Sequence, residues 1–117
     1  MARVLNRTTG DVVVEELRLA HTHWTRLRGL LGTRTLKGGT GLWLKPCRQV
    51  HMFGMIYAID VIFLDRELRV VAVLKELSPN KISPKFALAE SVLELPAGSI
   101  ERSGLKQGMV LEIETAK

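Results

Sequence analysis

Within "PCRQVHMFGMIYAIDVIFLD", residues 46–65, fall the only cysteine of the chain, one of its three histidines and two of its four methionines. Cys47, His51 and Met55 recur every fourth residue. On a helix that spacing stacks three soft or borderline ligands on one face, a pattern suited to Cu(I) or Zn(II). A helix is disfavoured here, because Pro46 precedes the run, Gly54 interrupts it and its neighbours are β-branched or aromatic. On a strand, positions four apart are separated by about 13 Å, too far for two bonds of about 2.0–2.3 Å to one metal. Cys47 is therefore expected as a small buried hydrophobe, with no metal on this motif and no cofactor implied. The same separation disfavours a Cys47–His51 nucleophile pair, and no serine sits in a Gly-x-Ser-x-Gly elbow.

Asp60 is the neighbour that matters more. If "RQVHMF" and "IDVIFL" pair as a hairpin across "GMIYA", 48–53 against 59–64, Asp60 enters the second strand close to the level of His51 or Phe53. A carboxylate set among Ile59, Val61 and Ile62 needs donors if it is buried. Two readings stay open: Asp60 satisfies turn backbone, or it pairs with His51 as an oriented base or ligand anchor. His21 and His23, with no acid nearby in sequence, are expected to face solvent. Glu90 and Glu94 read as a solvated strand edge and not as an acid/base dyad.

The elements that must position these residues are mostly strands. "ARVLN" and "DVVVEELRLA" flank "RTTG", whose residues suit a hairpin turn. "THWTRLRGLLGT" places Trp24, Leu27 and Leu31 on one helical face, with Thr22 as N-cap and Gly32 as terminator, and predicts a helix over 22–32. "TRTLKGGTG" lacks the Gly-Lys-Ser/Thr ending of a phosphate loop and reads as a turn-rich connection. Strand signals then follow in "GLWLK", "RQVHMF", "IDVIFL" and "LRVVAVL", as an antiparallel meander. "NKISPKF" is a loop, "ESVLEL" a strand stopped by "PAG", and "MVLEIE" the last strand.

Composition sets the outer bounds. The chain has 117 residues, 46% of them hydrophobic and 25% charged, the proportions of one ordinary folded domain spanning 1–117. No apolar run reaches the length of a membrane span, and the N-terminus has no cleavable leader pattern, so the expected location is the cytoplasm. The net charge of +5 is uneven: residues 17–59 hold Arg18, Arg26, Arg28, Arg34, Lys37, Lys45 and Arg48 and no acid. One-signed charge of this kind attracts an anionic partner. The competing reading is a solvated face neutralised in space by Glu15, Glu16 or Asp60. Nucleic acid is not supported, since Trp24 and Trp43 sit in apolar patterns that favour burial over base stacking.

Five stretches in order, "RLRGLLG" (26–32), "GLWLKPC" (41–47), "VHMFGM" with "IDVIFLD" (50–55 and 59–65), "VLELPAG" (92–98) and "GLKQG" (104–108), resemble the domain-of-unknown-function 192 family. The resemblance runs from the expected helix onward. It implies a compact β-sandwich of jelly-roll character and supplies no agreed function. Met52 and the run Lys106-Gln107-Gly108-Met109 depart from the residues usual in the family at those places.

Together these readings predict a mainly β domain, an antiparallel β-sandwich or partly open barrel of jelly-roll character with one short amphipathic helix. The expected function is a non-enzymatic binding module for a small anionic or polar ligand or a protein partner, at a surface near Arg26, Arg28, Arg48, His51 and Asp60. The competing classes are an enzyme with His51 and Asp60 as a catalytic pair and a weak nucleic-acid-binding protein.

Overall fold

The computed structural model describes residues 2–20, 39–53 and 55–115. Seven strands are described: β1 (Ala2–Asn6), β2 (Val12–Ala20), β3 (Thr40–Leu44), β4 (Ile59–Leu64), β5 (Val70–Leu77), β6 (Ser91–Pro96) and β7 (Leu111–Thr115), with a short helix α1 (Ser99–Ser103) before the last. They form one sheet in the order β5-β4-β6-β3-β2-β1-β7. The two ends of that order meet. Arg69 and Val110 make an antiparallel bridge. Beside it the Val70 N–H donates to the Met109 carbonyl at 2.7 Å and the Leu111 N–H to the Leu68 carbonyl at 2.9 Å. Joining edge to edge removes unpaired backbone, so the sheet curls into a partly open barrel.

Several expected elements are present. β1 and β2 form the N-terminal hairpin, turned by Asn6, whose Oδ1 accepts the Thr8 N–H at 2.9 Å. β4 and β5 pair antiparallel across the "DRE" turn, where Asp65 Oδ1 accepts the N–H groups of Glu67 and Arg69, each at 2.9 Å.

Three expectations need correction or placement. First, residues 48–53 do not pair with 59–64; β4 lies between β5 and β6, and the 48–53 run makes only an isolated bridge, His51 to Ile82. Its alternating Val50 and Met52 mark one-sided burial, which a segment laid across a sheet needs as much as a strand within one. Second, the sheet is not wholly antiparallel, since β2 and β3 run parallel from Glu16↔Thr40 to Ala20↔Leu44. Third, the predicted helix over 22–32 lies outside the described residues, and with it His21, His23, Trp24, Arg26, Arg28, Arg34 and Lys37. The helix that is described, α1, spans five residues, too few to show a periodic pattern.

β4 and β6 are buried at every position, so the sheet carries apolar packing on both faces. Inside the curl, Val4, Val14, Leu17, Ile62, Leu93 and Leu95 pack with Ile100 and Leu105 from the α1 region. On the outer face, Leu42, Leu44, Ile59, Val61, Phe63 and Val92 meet Val50, Met52, Met55 and Ala89 from the two long connections. Gly41 belongs to the inner packing. A Cβ there would lie 2.9 Å from Leu95 Cδ2 and 3.2 Å from Val14 Cγ2. Both neighbours are themselves buried and have little room to yield. Gly41→Ala is expected to lower stability by about 1–3 kcal/mol through overpacking, read as a lower urea midpoint with an unchanged slope.

Candidate functional site

The two long connections, 45–58 and 78–90, run against each other as an irregular ribbon over the outer face of the sheet. Backbone bonds tie them along their length: Cys47 N–H to the Glu90 carbonyl at 3.0 Å, Phe86 N–H to Arg48 at 3.1 Å, Ser83 N–H to Val50 at 2.9 Å and Met52 N–H to Lys81 at 2.9 Å. Ser83, fully buried, adds a side-chain link, its Oγ accepting the Val50 N–H at 2.8 Å. The ribbon is clamped to the sheet by aromatic packing, with the rings of Phe63 on β4 and Phe86 4.5 Å apart at a tilt.

At one end of the ribbon a recess of about 280 Å³ is lined by Pro46, Cys47, Arg48, Lys85 and Glu90. Arg48 is anchored there, since its Nε donates to the Ala89 carbonyl at 3.2 Å. That bond uses one of the five guanidinium N–H groups and fixes the plane in which the two terminal amino groups lie. Cys47 is half-buried against the outer core, and its thiol donates to the Gln49 carbonyl at 3.2 Å. Met55 is buried in the same core. His51 is half-buried at the bridge to Ile82, its ring centroid 6.1 Å from that of Phe53. Among the described residues, no three His, Cys, Asp or Glu side chains converge as metal ligands.

Asp60 lies elsewhere. Along β4 it alternates with Ile59, Val61 and Phe63, which face the ribbon, so its side chain is on the opposite, inner side. There it is fully buried. Its Oδ1 accepts the Glu76 N–H and its Oδ2 the Ile100 N–H, both at 2.8 Å. Each bond answers a local need. Ile59 pairs with Leu77 but Val61 with Leu74, so Lys75 and Glu76 form a bulge opposite Asp60, with Glu76 at φ 50°. The N-cap of α1 is Gly98, which has no side chain to cap the first turn; Asp60 supplies the missing acceptor from across the core. Of the two readings of this residue, backbone satisfaction is the one observed, although the backbone belongs to β5 and α1 and not to the adjacent turn. His51 and Asp60 are not brought together.

Glu94 departs from its expected place. β6 lies between β3 and β4, not at an edge, and Glu94 is fully buried on the face shared with Leu42 and Val61. Glu90 is half-buried and lines the recess. A second recess, also about 280 Å³, is lined by Asp60, Lys75, Glu76, Gly98 and Glu101. Across it Lys75 Nζ and Glu101 Oε2 are 2.6 Å apart. The Lys75 hydrogen bond first, and its charge second, hold the Glu101 carboxyl below its ordinary 4.5. Glu101 in turn raises Lys75 above 10.5. The ion pairs seen among the described residues, this one with Arg3–Glu114 and Arg7–Glu112, involve none of Arg18, Lys45 and Arg48.

The sequence model of the DUF192 family, described as an uncharacterized ACR, matches residues 4–113. Two curated relatives are UPF0127 proteins of Thermococcus. The T. sibiricus protein is 32% identical over 103 residues, 84% of this chain and 66% of its own length. The T. kodakarensis protein is 30% identical over 110 residues, 90% of this chain and 69% of its own. The chain thus spans about two thirds of the length of these relatives. Among solved structures, a Novosphingobium aromaticivorans protein of unknown function superposes with a TM-score of 0.77 at 23% identity, covering 95% of this chain and 82% of that one. A Sinorhizobium meliloti protein, provisionally assigned as a transcription regulator, superposes with a TM-score of 0.74 at 21% identity, covering 95% and 90%. At these identities the likeness shows the fold.

Two outcomes are expected from this geometry. Asp60→Asn keeps the shape but turns an amide NH2 toward one of the two backbone donors, and should cost about 2–4 kcal/mol of unfolding free energy, measured by urea denaturation. For the exposed pair, the contribution of Glu101 is present above pH 4.5 and lost as pH falls through its lowered value, while that of Lys75 is lost only as pH rises above 10.5. A carboxyl-carbon NMR titration should place Glu101 below 4.5, and Lys75→Met should return it upward.

Proposed function

We propose, from the premise that this chain belongs to the DUF192 family, that it is a non-enzymatic binding module whose ligand is a small anion held at the ribbon recess by Arg48 and Lys85. The observation that carries this reading is the pairing of these two cations in one recess of about 280 Å³, with Arg48 already fixed by its bond to Ala89. A guanidinium restrained at Nε loses little further rotamer freedom when its terminal amino groups fork onto a carboxylate or phosphate. Glu90, in the same lining, disfavours a bare polyanion and favours a ligand that also carries a hydroxyl or ammonium donor. A small hydroxy acid or amino acid satisfies both demands.

Of the residues expected at the site, Arg48 supports the reading most directly. His51 lies on the same ribbon and is proposed at its margin. Arg26 and Arg28, outside the described residues, remain proposed as further ligand-binding cations. The enzymatic alternative is less well supported, because it requires Asp60 beside His51 and both Asp60 oxygens are engaged by backbone on the inner side of the sheet.

The test uses inorganic phosphate and glycolate as probes in a two-dimensional NMR titration at low salt. Shifts should cluster at residues 46–48, 85 and 90, and Arg48→Ala should weaken binding by about tenfold or more. Lys85→Ala, which leaves the Arg48 anchor intact, should weaken it in the same direction. No clustered shift with either probe, or unchanged affinity in both variants, would refute the reading.

A further inference from the structure

We infer that the outward side of the ribbon is a docking surface for an anionic lipid bilayer, a role that goes beyond the recess reading and does not depend on it. Six large hydrophobic side chains are exposed among the described residues, and four of them belong to this ribbon: Phe53 at 51%, Ile56 at 67%, Ile82 at 50% and Leu88 at 76% exposure. The other two, Val12 and Leu19, are on β2. Such a concentration on one structural unit is not the scattered exposure that ordinary surfaces show.

Charge singles out the same unit. Segments 45–58 and 78–90 contain Lys45, Arg48, Lys81 and Lys85 and a single acid, Glu90. All four cations are exposed, whereas Glu90 is half-buried. Lys81 directly precedes Ile82, so cation and apolar side chain are presented at one site. The backbone around them is fixed, because Met52 N–H donates to the Lys81 carbonyl and Asn80 N–H to the Met52 carbonyl at 3.0 Å. The inward side chains, Val50, Met52, Met55 and Ala89, are spent on the sheet. What remains outward is therefore an amphipathic cationic surface held on a rigid base.

That combination matches the two attractions an anionic bilayer offers. Apolar side chains enter the boundary between headgroups and acyl chains, and cations stay at headgroup level beside the lipid phosphates. Phe53 stands at a turn, Ile56 at a bend three residues on, Ile82 at the bridge to His51 and Leu88 at a second turn. Separated groups suit a fluid surface that admits each singly, whereas a protein partner would need a matching set of pockets. No helix of the described residues is long and apolar enough to cross a membrane, so the contact would be peripheral.

The test is co-sedimentation of the whole chain with vesicles of phosphatidylcholine alone or with about 30 mol% phosphatidylglycerol, with soluble polyglutamate as a competitor. Binding should appear only with the anionic vesicles and fall by about tenfold between low and high salt. The double variant Phe53→Ser, Ile56→Ser should reduce the bound fraction by about fivefold or more, and Leu88→Ser alone should do so more weakly. These residues do not line the recess, so the phosphate and glycolate titration should be unchanged in the same variants. Absence of anionic-vesicle binding overturns the proposal. So does binding indifferent to all three apolar substitutions, or full displacement by polyglutamate, which would mark a general acidic-partner surface.

Discussion

Two adjacent strands buried on both faces set the terms for everything else in this fold. β4 and β6 are inaccessible at all their positions, so neither face of the sheet centre can meet water. In a chain of this length only two kinds of cover are available among the described residues. One is curvature, which brings β1, β2 and β7 round with the α1 region to enclose the inner face. The other is the ribbon, which spreads Val50, Met52, Met55 and Phe86 over the outer face. A parallel-sheet protein would cover such strands with helices; here irregular backbone does it, and every ribbon carbonyl and N–H must find a partner outside a regular ladder.

The same constraint explains Asp60. A carboxylate on a doubly buried strand is tolerable only if donors meet it at the spot. Two donors do, and both come from places where regular structure leaves an N–H without a partner: a bulge in β5 and the uncapped start of α1. One anion thus substitutes for a ladder bond and for a cap together, and joins three elements that the chain visits far apart. Its role is architectural. Both of its oxygens are thereby engaged by backbone, even though an acid near a histidine in sequence is the usual place to look for a reacting pair.

Much of this was legible in the sequence. The hairpins β1–β2 and β4–β5, the loop at 80–86 and the stop after β6 all rest on local signals, alternation and turn residues acting within a few positions. The missed features are non-local. Val50 and Met52 alternate because one side of the ribbon is buried, and alternation cannot say whether the partner is a neighbouring strand or a sheet face beneath. Glu94 looked like an edge acid because nothing in "ESVLEL" records that β3 and β4 flank it. The donors to Asp60, at 76 and 100, lie 16 and 40 residues away, and α1 is a single short turn pattern. Of the candidate site, the cation Arg48 was readable from charge alone; its companion Lys85 lay inside a segment that read only as loop.

The distribution of charge follows from the burial. Two of the twelve acids, Asp60 and Glu94, are fully buried, leaving at most ten facing solvent against seventeen lysines and arginines. Three of the exposed acids are matched locally, Glu114 by Arg3, Glu112 by Arg7 and Glu101 by Lys75, on β1 and the turn after it, β5, β7 and α1, and not on the ribbon. The excess of positive charge is therefore not spread evenly. Among the described residues the ribbon shows four exposed cations against one half-buried acid, Glu90, and it is the part of the molecule released from the demands of the ladder. A covering segment must satisfy its inward side chains and its backbone, and nothing in the fold dictates what it shows outward. The exposed apolar groups and cations there are not required by the packing beneath them, so their reason is to be sought in what the surface meets.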